Sequence, residues 1–342
     1  DIQFKMDDYE EDIAAVCMKK LANTHLKVVK ETYELPKIIT FLEMFGVGKI
    51  EHLNPMQRWK ENNPVKSLAA PVGVRPDGSL FELDLHEKYH GPHGLIAGMT
   101  GSGKSEFIIT YILSMAINYH PDEVAFLLID YKGGGLAKAF EDKERGIHLT
   151  ITNLDGSTIQ RCLISIQSEN VRRQKIFNEI KSKIGESNIN IYDYQALYRA
   201  GKVEEPLPHL FIISDEFAEL KNQEPEFMDK LISTARIGRS LGVHLILATQ
   251  KPAGVVNEQI LSNTKFRVCL KVQDRYDSMD MLKRSEAAEL RDTGRFYLQV
   301  GYNEYFALGQ SAWSGALYEP SDEIIIRKDN EIQFLDTLGQ TS

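Results

Sequence analysis

The chain has 342 residues, 42% hydrophobic and 26% charged, with 24 Gly and 12 Pro; this is enough to bury a large core and excludes disordered, collagen-like and low-complexity classes. Forty Lys and Arg stand against 49 Asp and Glu, a net charge of −9 that argues against a wholesale electrostatic grip on nucleic acid and leaves only a local basic channel open. No apolar run reaches the ~18 residues of a membrane span. Cys17, Cys162 and Cys269 are too few and too far apart for a disulfide framework or a zinc site, so they read as buried thiols of a reducing compartment. The chain opens on Asp1 without a signal peptide and is expected to be a piece of a longer protein, with any membrane anchor outside it.

In chain order, residues 1–64 read as a small helical lead-in. Ile13, Ala14, Val16, Cys17 and Leu21 recur at helical spacing over 10–21, and Pro36 opens a second helix running to Leu42. Between Leu68 and Leu85, two β-rich stretches flank the turn Arg75-Pro76-Asp77-Gly78. A strand-loop-helix rhythm follows: a strand over 94–98, a glycine loop, a helix over 104–119, and a strand over 124–130. A long polar helix spans 158–184, and buried strands over 210–214 and 243–248 enclose a helix at 226–241. Strands apolar on both faces, alternating with helices, predict an α/β fold around a parallel sheet. A strand pair is expected over 295–308, and past Trp313 the chain turns acidic and irregular, giving a main α/β domain over 65–315 and a linker over 316–342. There is no internal repeat.

The chemistry concentrates in Gly98-Met99-Thr100-Gly101-Ser102-Gly103-Lys104-Ser105, a full G-x-x-x-x-G-K-[ST] match between a strand and a helix. Such glycines let the backbone curl so that amides and the helix N-terminus meet phosphate oxygens. Lys104 would reach the β/γ-phosphates of ATP, and Ser105 would hold Mg2+ through its hydroxyl. The strand Leu210-Phe211-Ile212-Ile213-Ser214 delivers Asp215 and Glu216 at its C-terminal end, where ligands of open α/β sheets bind. Asp215 suits Mg2+ held at one remove, through its ligands or through water, and Glu216 suits the water that attacks the γ-phosphorus. Gln250, closing the strand before Pro252, suits sensing of the γ-phosphate. Asp130-Tyr131-Lys132-Gly133-Gly134-Gly135 sits at a further strand end, as a flexible loop or a close approach to the site. Arg172 with Arg173, and Arg236 with Arg239, are the candidates for a transition-state cation; charge alone makes each a solvated helix face and does not choose between them. His209 and His244 read as packed side chains, and there is no metal cluster or nucleophile–base triad.

The set GMTGSGKSE, which includes Glu106, together with LLIDYKGGG, ENVRRQ, LFIISDEF, RIGRSLGVHLILATQKP and FRVCLKV, resembles the FtsK/SpoIIIE-type ATPases. Among these it is most similar to the first, membrane-proximal ATPase module of the EssC/EccC (YukB-like) proteins of type VII secretion. The resemblance covers about residues 65–315, with 1–60 similar to the segment between membrane and motor. It implies a RecA-like P-loop fold and a ring, a hexamer, with ATP at subunit boundaries. It also implies export of small helical effector proteins across the bacterial inner membrane, and a module at the cytoplasmic face of that membrane. On the same ground, Arg172 or Arg173 is the arginine acting in trans. A double-stranded DNA translocase shares nearly every motif, but it would need basic pore residues and a DNA-reading appendage, and neither is evident. A regulatory nucleotide-binding scaffold is the third reading.

Overall fold

The computed structural model describes residues 35–130, 136, 139–140, 149–153, 156–185, 188–302 and 304–322. The helix expected over 10–21, Cys17, the Gly133–Gly135 run and residues 323–342 lie outside them.

Ten strands form one sheet among the described residues: β1 (Ala69–Val74), β2 (Leu80–Asp84), β3 (Gly94–Ala97), β4 (Val124–Asp130), β5 (Leu149–Asn153), β6 (His209–Asp215), β7 (Val243–Thr249), β8 (Phe266–Leu270), β9 (Arg295–Val300) and β10 (Tyr305–Ser311). The order is β2-β1-β10-β9-β8-β3-β7-β6-β4-β5. From β8 to β5 every neighbouring pair is parallel. The other side is an antiparallel annex of β9, β10, β1 and β2. The parallel strands β3, β4, β6, β7 and β8 are largely apolar and buried, as strands covered on both faces are; β7 is buried at every position.

Strand periodicity divides the core into two layers. Ile96, Phe211, Ile213 and Ile246 pack on one face with Phe107, Ile108, Tyr111 and Met115 of the helix Lys104–Asn118. Leu95, Ala97, Ile212, Leu245 and Leu247 face the other way, toward Phe227, Met228, Leu231 and Ala235. Those four lie on the helix Pro225–Gly238, which Pro225 opens at a first-turn position where its missing N–H costs nothing. The long helix is Gly156–Ile184, and a shorter one, Ile191–Arg199, is capped by Asn190.

The lead-in departs from its expected form. The helix anticipated from Pro36 is only Phe41–Met44, with Thr40 as N-cap: Thr40 Oγ1 accepts from Glu43 N at 3.2 Å and Glu43 Oε2 accepts from Thr40 N at 2.7 Å. Upstream, the chain is drawn out because its polar groups have tertiary partners. Arg295 Nη2 donates to Leu35 O and Pro36 O (3.4 and 3.3 Å), and Trp313 N donates to Ile39 O at 2.8 Å. Phe41, Met44 and Leu53 then bury themselves against Val74, Ala312 and Leu113. The described part of the expected linker also has fixed partners. Phe41 N donates to Trp313 O, Ser321 N to Gly48 O, and Lys49 pairs with Asp322.

At the N-terminal ends of β6 and β7, three imidazoles are buried. His244 Nδ1 lies 3.1 Å from Pro92 O, a carbonyl that can only accept, so the proton sits on Nδ1. His244 Nε2 must therefore accept from His209 Nδ1, at 2.9 Å. His93 Nδ1 accepts from Leu245 N at 3.0 Å. Burial pushes His93 down to about 4, His244 down to about 3 and His209 well below the ordinary imidazole value. The unfolded chain thus takes up protons near pH 6.5 that the folded chain refuses, and stability is lost as pH falls from about 6.5 toward 4. Urea midpoints are expected to fall between about pH 7.5 and 5 by an amount equivalent to ~2 kcal/mol per imidazole; a pH-independent midpoint would show that the rings protonate in place.

Candidate active site

The turn after β3 is held from both sides. Gly98 N donates to Thr249 O (3.1 Å) at the end of β7, and Met99 N to Lys271 O (2.8 Å) just past β8. Gly98 has no room for a side chain, since a Cβ there would lie 2.5 Å from Ser102 Oγ. Gly103, at φ +94°, opens the helix in a conformation that L side chains avoid, with Gly294 N 3.0 Å from where its Cβ would be. Carbonyls of the loop are taken up from outside: Gly294 N donates to Ser102 O at 2.8 Å and Thr293 Oγ1 to Gly101 O at 3.4 Å. Above Gly101 there is open space.

Lys104 is buried, and its ammonium pairs with Oδ1 of Asp215 at the end of β6. The same oxygen accepts from Glu216 N at 3.0 Å. Glu216 stands at φ +55°, a left-handed position costly for a residue with a Cβ, and N-caps the helix Phe217–Gln223. Its buried carboxylate lies between Thr249 Oγ1 (3.3 Å) and Gln250 N (3.4 Å), both of which donate to Oε1. Its Oε2 is buried with no partner among the described residues, as is Ser102 Oγ. Gln250 Oε1 accepts from Thr100 Oγ1 at 2.9 Å, joining the end of β7 to the phosphate loop. Asp130, buried, is aligned with Asp215 across β4 and β6. Ser105 is exposed in the first helical turn.

A buried cation beside a carboxylate, a second carboxylate with an unmatched oxygen, an exposed hydroxyl and an open backbone cradle fit a nucleoside triphosphate with Mg2+. The described residues contain no cluster of His, Cys, Asp and Glu fit to hold a metal unaided.

Other expected residues go elsewhere. Glu106 Oε2 accepts from Ser314 Oγ at 3.3 Å, so its carboxylate is occupied by the tail. The arginine pair divides. Arg172 is half exposed and grips Glu169 with two donors at 2.7 and 2.9 Å. Arg173 is 2% exposed; its Nε donates to Glu169 and its Nη1 to Leu241 O, both at 2.8 Å. It is buried within this chain and braces the long helix against the turn before β7. Arg236 is exposed, and Arg239 meets Glu87 at 3.3 Å. His209 and His244 are packed near the opposite ends of the strands that carry Asp215 and Gln250. Thr249 lies within the quoted RIGRSLGVHLILATQKP stretch without a role of its own there, and Thr293 and Gly294 are not among the residues the sequence points to.

A mixed, mostly parallel sheet flanked by helices, with a G-x-x-x-x-G-K-S loop at one strand end and acids at another, defines a P-loop ATPase fold. Residues 51–254 match the FtsK/SpoIIIE family, and the chain belongs to that family. It is 54% identical over 326 residues to the type VII secretion system protein EssC of Staphylococcus aureus, covering 94% of this chain and 21% of that protein. It is 52% identical over 307 residues to the ESX secretion system protein YukB of Bacillus subtilis, covering 87% of this chain and 20% of YukB. The chain thus spans about a fifth of the length of these curated relatives. Among solved structures, the cytoplasmic domain of the Thermomonospora curvata type VII secretion ATPase EccC superposes with a TM-score of 0.74 at 31% identity, over 83% of this chain and 33% of that one. No helix among the described residues is long and apolar enough to cross a membrane.

The two adjacent arginines should separate in stability measurements. Arg173→Ala leaves the Leu241 carbonyl without its side-chain donor and empties a buried space beneath the long helix, and is expected to cost ~3 kcal/mol in urea unfolding. Arg172→Ala, screened by solvent, is expected to cost under ~1 kcal/mol.

Proposed function

We propose that this chain is an ATP-hydrolysing motor module of a bacterial type VII protein secretion apparatus. The observation that carries hydrolysis, beyond nucleotide holding, is Glu216: a buried carboxylate fixed by Thr249 and Gln250, with one oxygen unmatched, next to the acid that pairs with Lys104. In this reading the amides around Gly98–Ser105 and the Lys104 ammonium hold the triphosphate. Ser105 and Asp215 hold Mg2+, which supplies neutralising charge to the phosphates when bound. Asp215, paired here with Lys104, would hold the metal together with Ser105, and Lys104 would hold the phosphates. Glu216 orients the attacking water and accepts its proton. Gln250, tethered to Thr100, senses the γ-phosphate.

No hydrogen bond or ion pair joins an arginine side chain to residues 98–105 among the described residues; in this reading Arg172 serves the neighbouring subunit's site in a ring, a hexamer, and an isolated copy turns over slowly. The names of the relatives support secretion: the cargo is small helical effector proteins, and segments outside this chain anchor the module at the cytoplasmic face of the membrane. The chain's net charge of −9 favours protein cargo over DNA.

Equilibrium titration with labelled ATP and a phosphate-release assay test this. Lys104→Ala is expected to abolish nucleotide binding or turnover. Glu216→Gln is expected to bind ATP as the parent does, with turnover reduced ~100-fold or more. Unchanged turnover in Glu216→Gln would leave a regulatory scaffold, and salt-dependent DNA binding by the assembled ring would favour a translocase.

A further inference from the structure

The triphosphate site has a direction. The groups assigned to its γ end, Asp215, Glu216 and Gln250, all lie on the β6–β7 side of β3. A triphosphate running from them along the loop leaves its α end, and the nucleoside attached to it, on the opposite side, where β8, β9 and β10 follow. There, against Gly103, a slot of about 250 Å3 opens. Ile38 of the lead-in and Trp313 of the tail line it beside Lys37 and Glu106, and Gly294 with Gln310 line it from the sheet.

The polar groups behind the slot are matched to one another. Gln310 Nε2 donates to Thr293 O and its Oε1 accepts from Arg295 Nε, both at 2.9 Å. Arg295 also pairs with Asp292 at 2.8 Å and holds Leu35 O and Pro36 O. The walls, in contrast, present apolar surface to water: Ile38 is 66% and Trp313 43% exposed. A fixed hydrogen-bonded backing with an exposed indole and isoleucine suits a flat, π-faced ligand.

We infer that this slot takes the purine nucleoside of the bound nucleotide, with the base packed against Trp313 and Ile38. The inference rests on the nucleotide-binding reading above and adds to it. Two segments outside the phosphate machinery, the lead-in and the tail, complete the ligand's pocket. Their alignment is set by the backbone bonds between Ile39, Phe41 and Trp313. Displacing either segment weakens the grip on the base and leaves the phosphate cradle intact.

Because the chain has only two tryptophans, Trp59→Phe leaves Trp313 as the sole indole reporter. That protein is titrated with ATP, ADP and inorganic tripolyphosphate, following fluorescence and, independently, heat. ATP and ADP are expected to change Trp313 emission and tripolyphosphate is not. Ile38→Ser and Trp313→Ala are each expected to weaken ATP about tenfold while holding tripolyphosphate within about twofold. Ile38→Ser alters only an exposed side chain and keeps the test valid should Trp313→Ala fold poorly. ATP binding seen by heat with a silent indole, or unaltered ATP affinity in Ile38→Ser, overturns the inference and leaves the phosphate site standing. Failure of ATP and tripolyphosphate alike overturns the nucleotide-binding reading and this one with it.

Discussion

A lysine ammonium with 5% of its side chain exposed cannot stay charged without an anionic partner, because the interior offers no substitute for its hydration. Lys104 meets that requirement through Asp215, and the contact dictates much of the architecture around it. The loop that carries Lys104 follows β3, Asp215 ends β6, and β7 lies between them. The two can meet only if all three strands run the same way and finish on one edge. Parallel pairing provides this, at the cost of covering both faces with helices. Thr249 and Gln250, at the end of the intervening strand, then fall beside Glu216 without further design.

The parallel half of this arrangement was legible in the chain itself. Runs such as Phe211–Ile213 and Leu245–Leu247 are apolar on both faces, which only a covered strand explains, and the loop motif has a fixed local spacing. Glu216 could be named as a candidate from its place after such a strand, yet its left-handed backbone and unmatched oxygen are tertiary facts. The arginines show the limit plainly. Arg172 and Arg173 are neighbours with the same charge, and only packing reveals that one is solvated while the other spans to Leu241 O. The sequence pattern likewise took Pro36–Leu42 for a helix. Local propensity lost there to Arg295, more than 250 residues away in the chain, which holds the carbonyls of Leu35 and Pro36.

The annex of β9, β10, β1 and β2 was the least readable part, because antiparallel strands from both ends of the chain assemble it. Its two hairpins could be anticipated one at a time, since each has its own turn; their pairing through β1 and β10 could not. The start of β9, held between β8 and β10, matters to chemistry as well as to folding. It sets Gly294 against Gly103 and Thr293 against the Gly101 carbonyl, so the phosphate loop is shaped partly by a turn nearly 200 residues downstream.

The parallel bridge between Thr40 and Trp313 has a mechanical corollary. The chain arrives from the N-terminal side of one segment and departs from the C-terminal side of the other, and the two segments run alongside each other. Tension on both flanks therefore loads the bonds at Ile39, Phe41 and Trp313 in shear, so that they resist together, where opposite polarity would let them peel apart singly. Pull would be absorbed by this clasp before it reached the sheet, and the strands that carry Asp215 and the Lys104 loop would keep their register under strain.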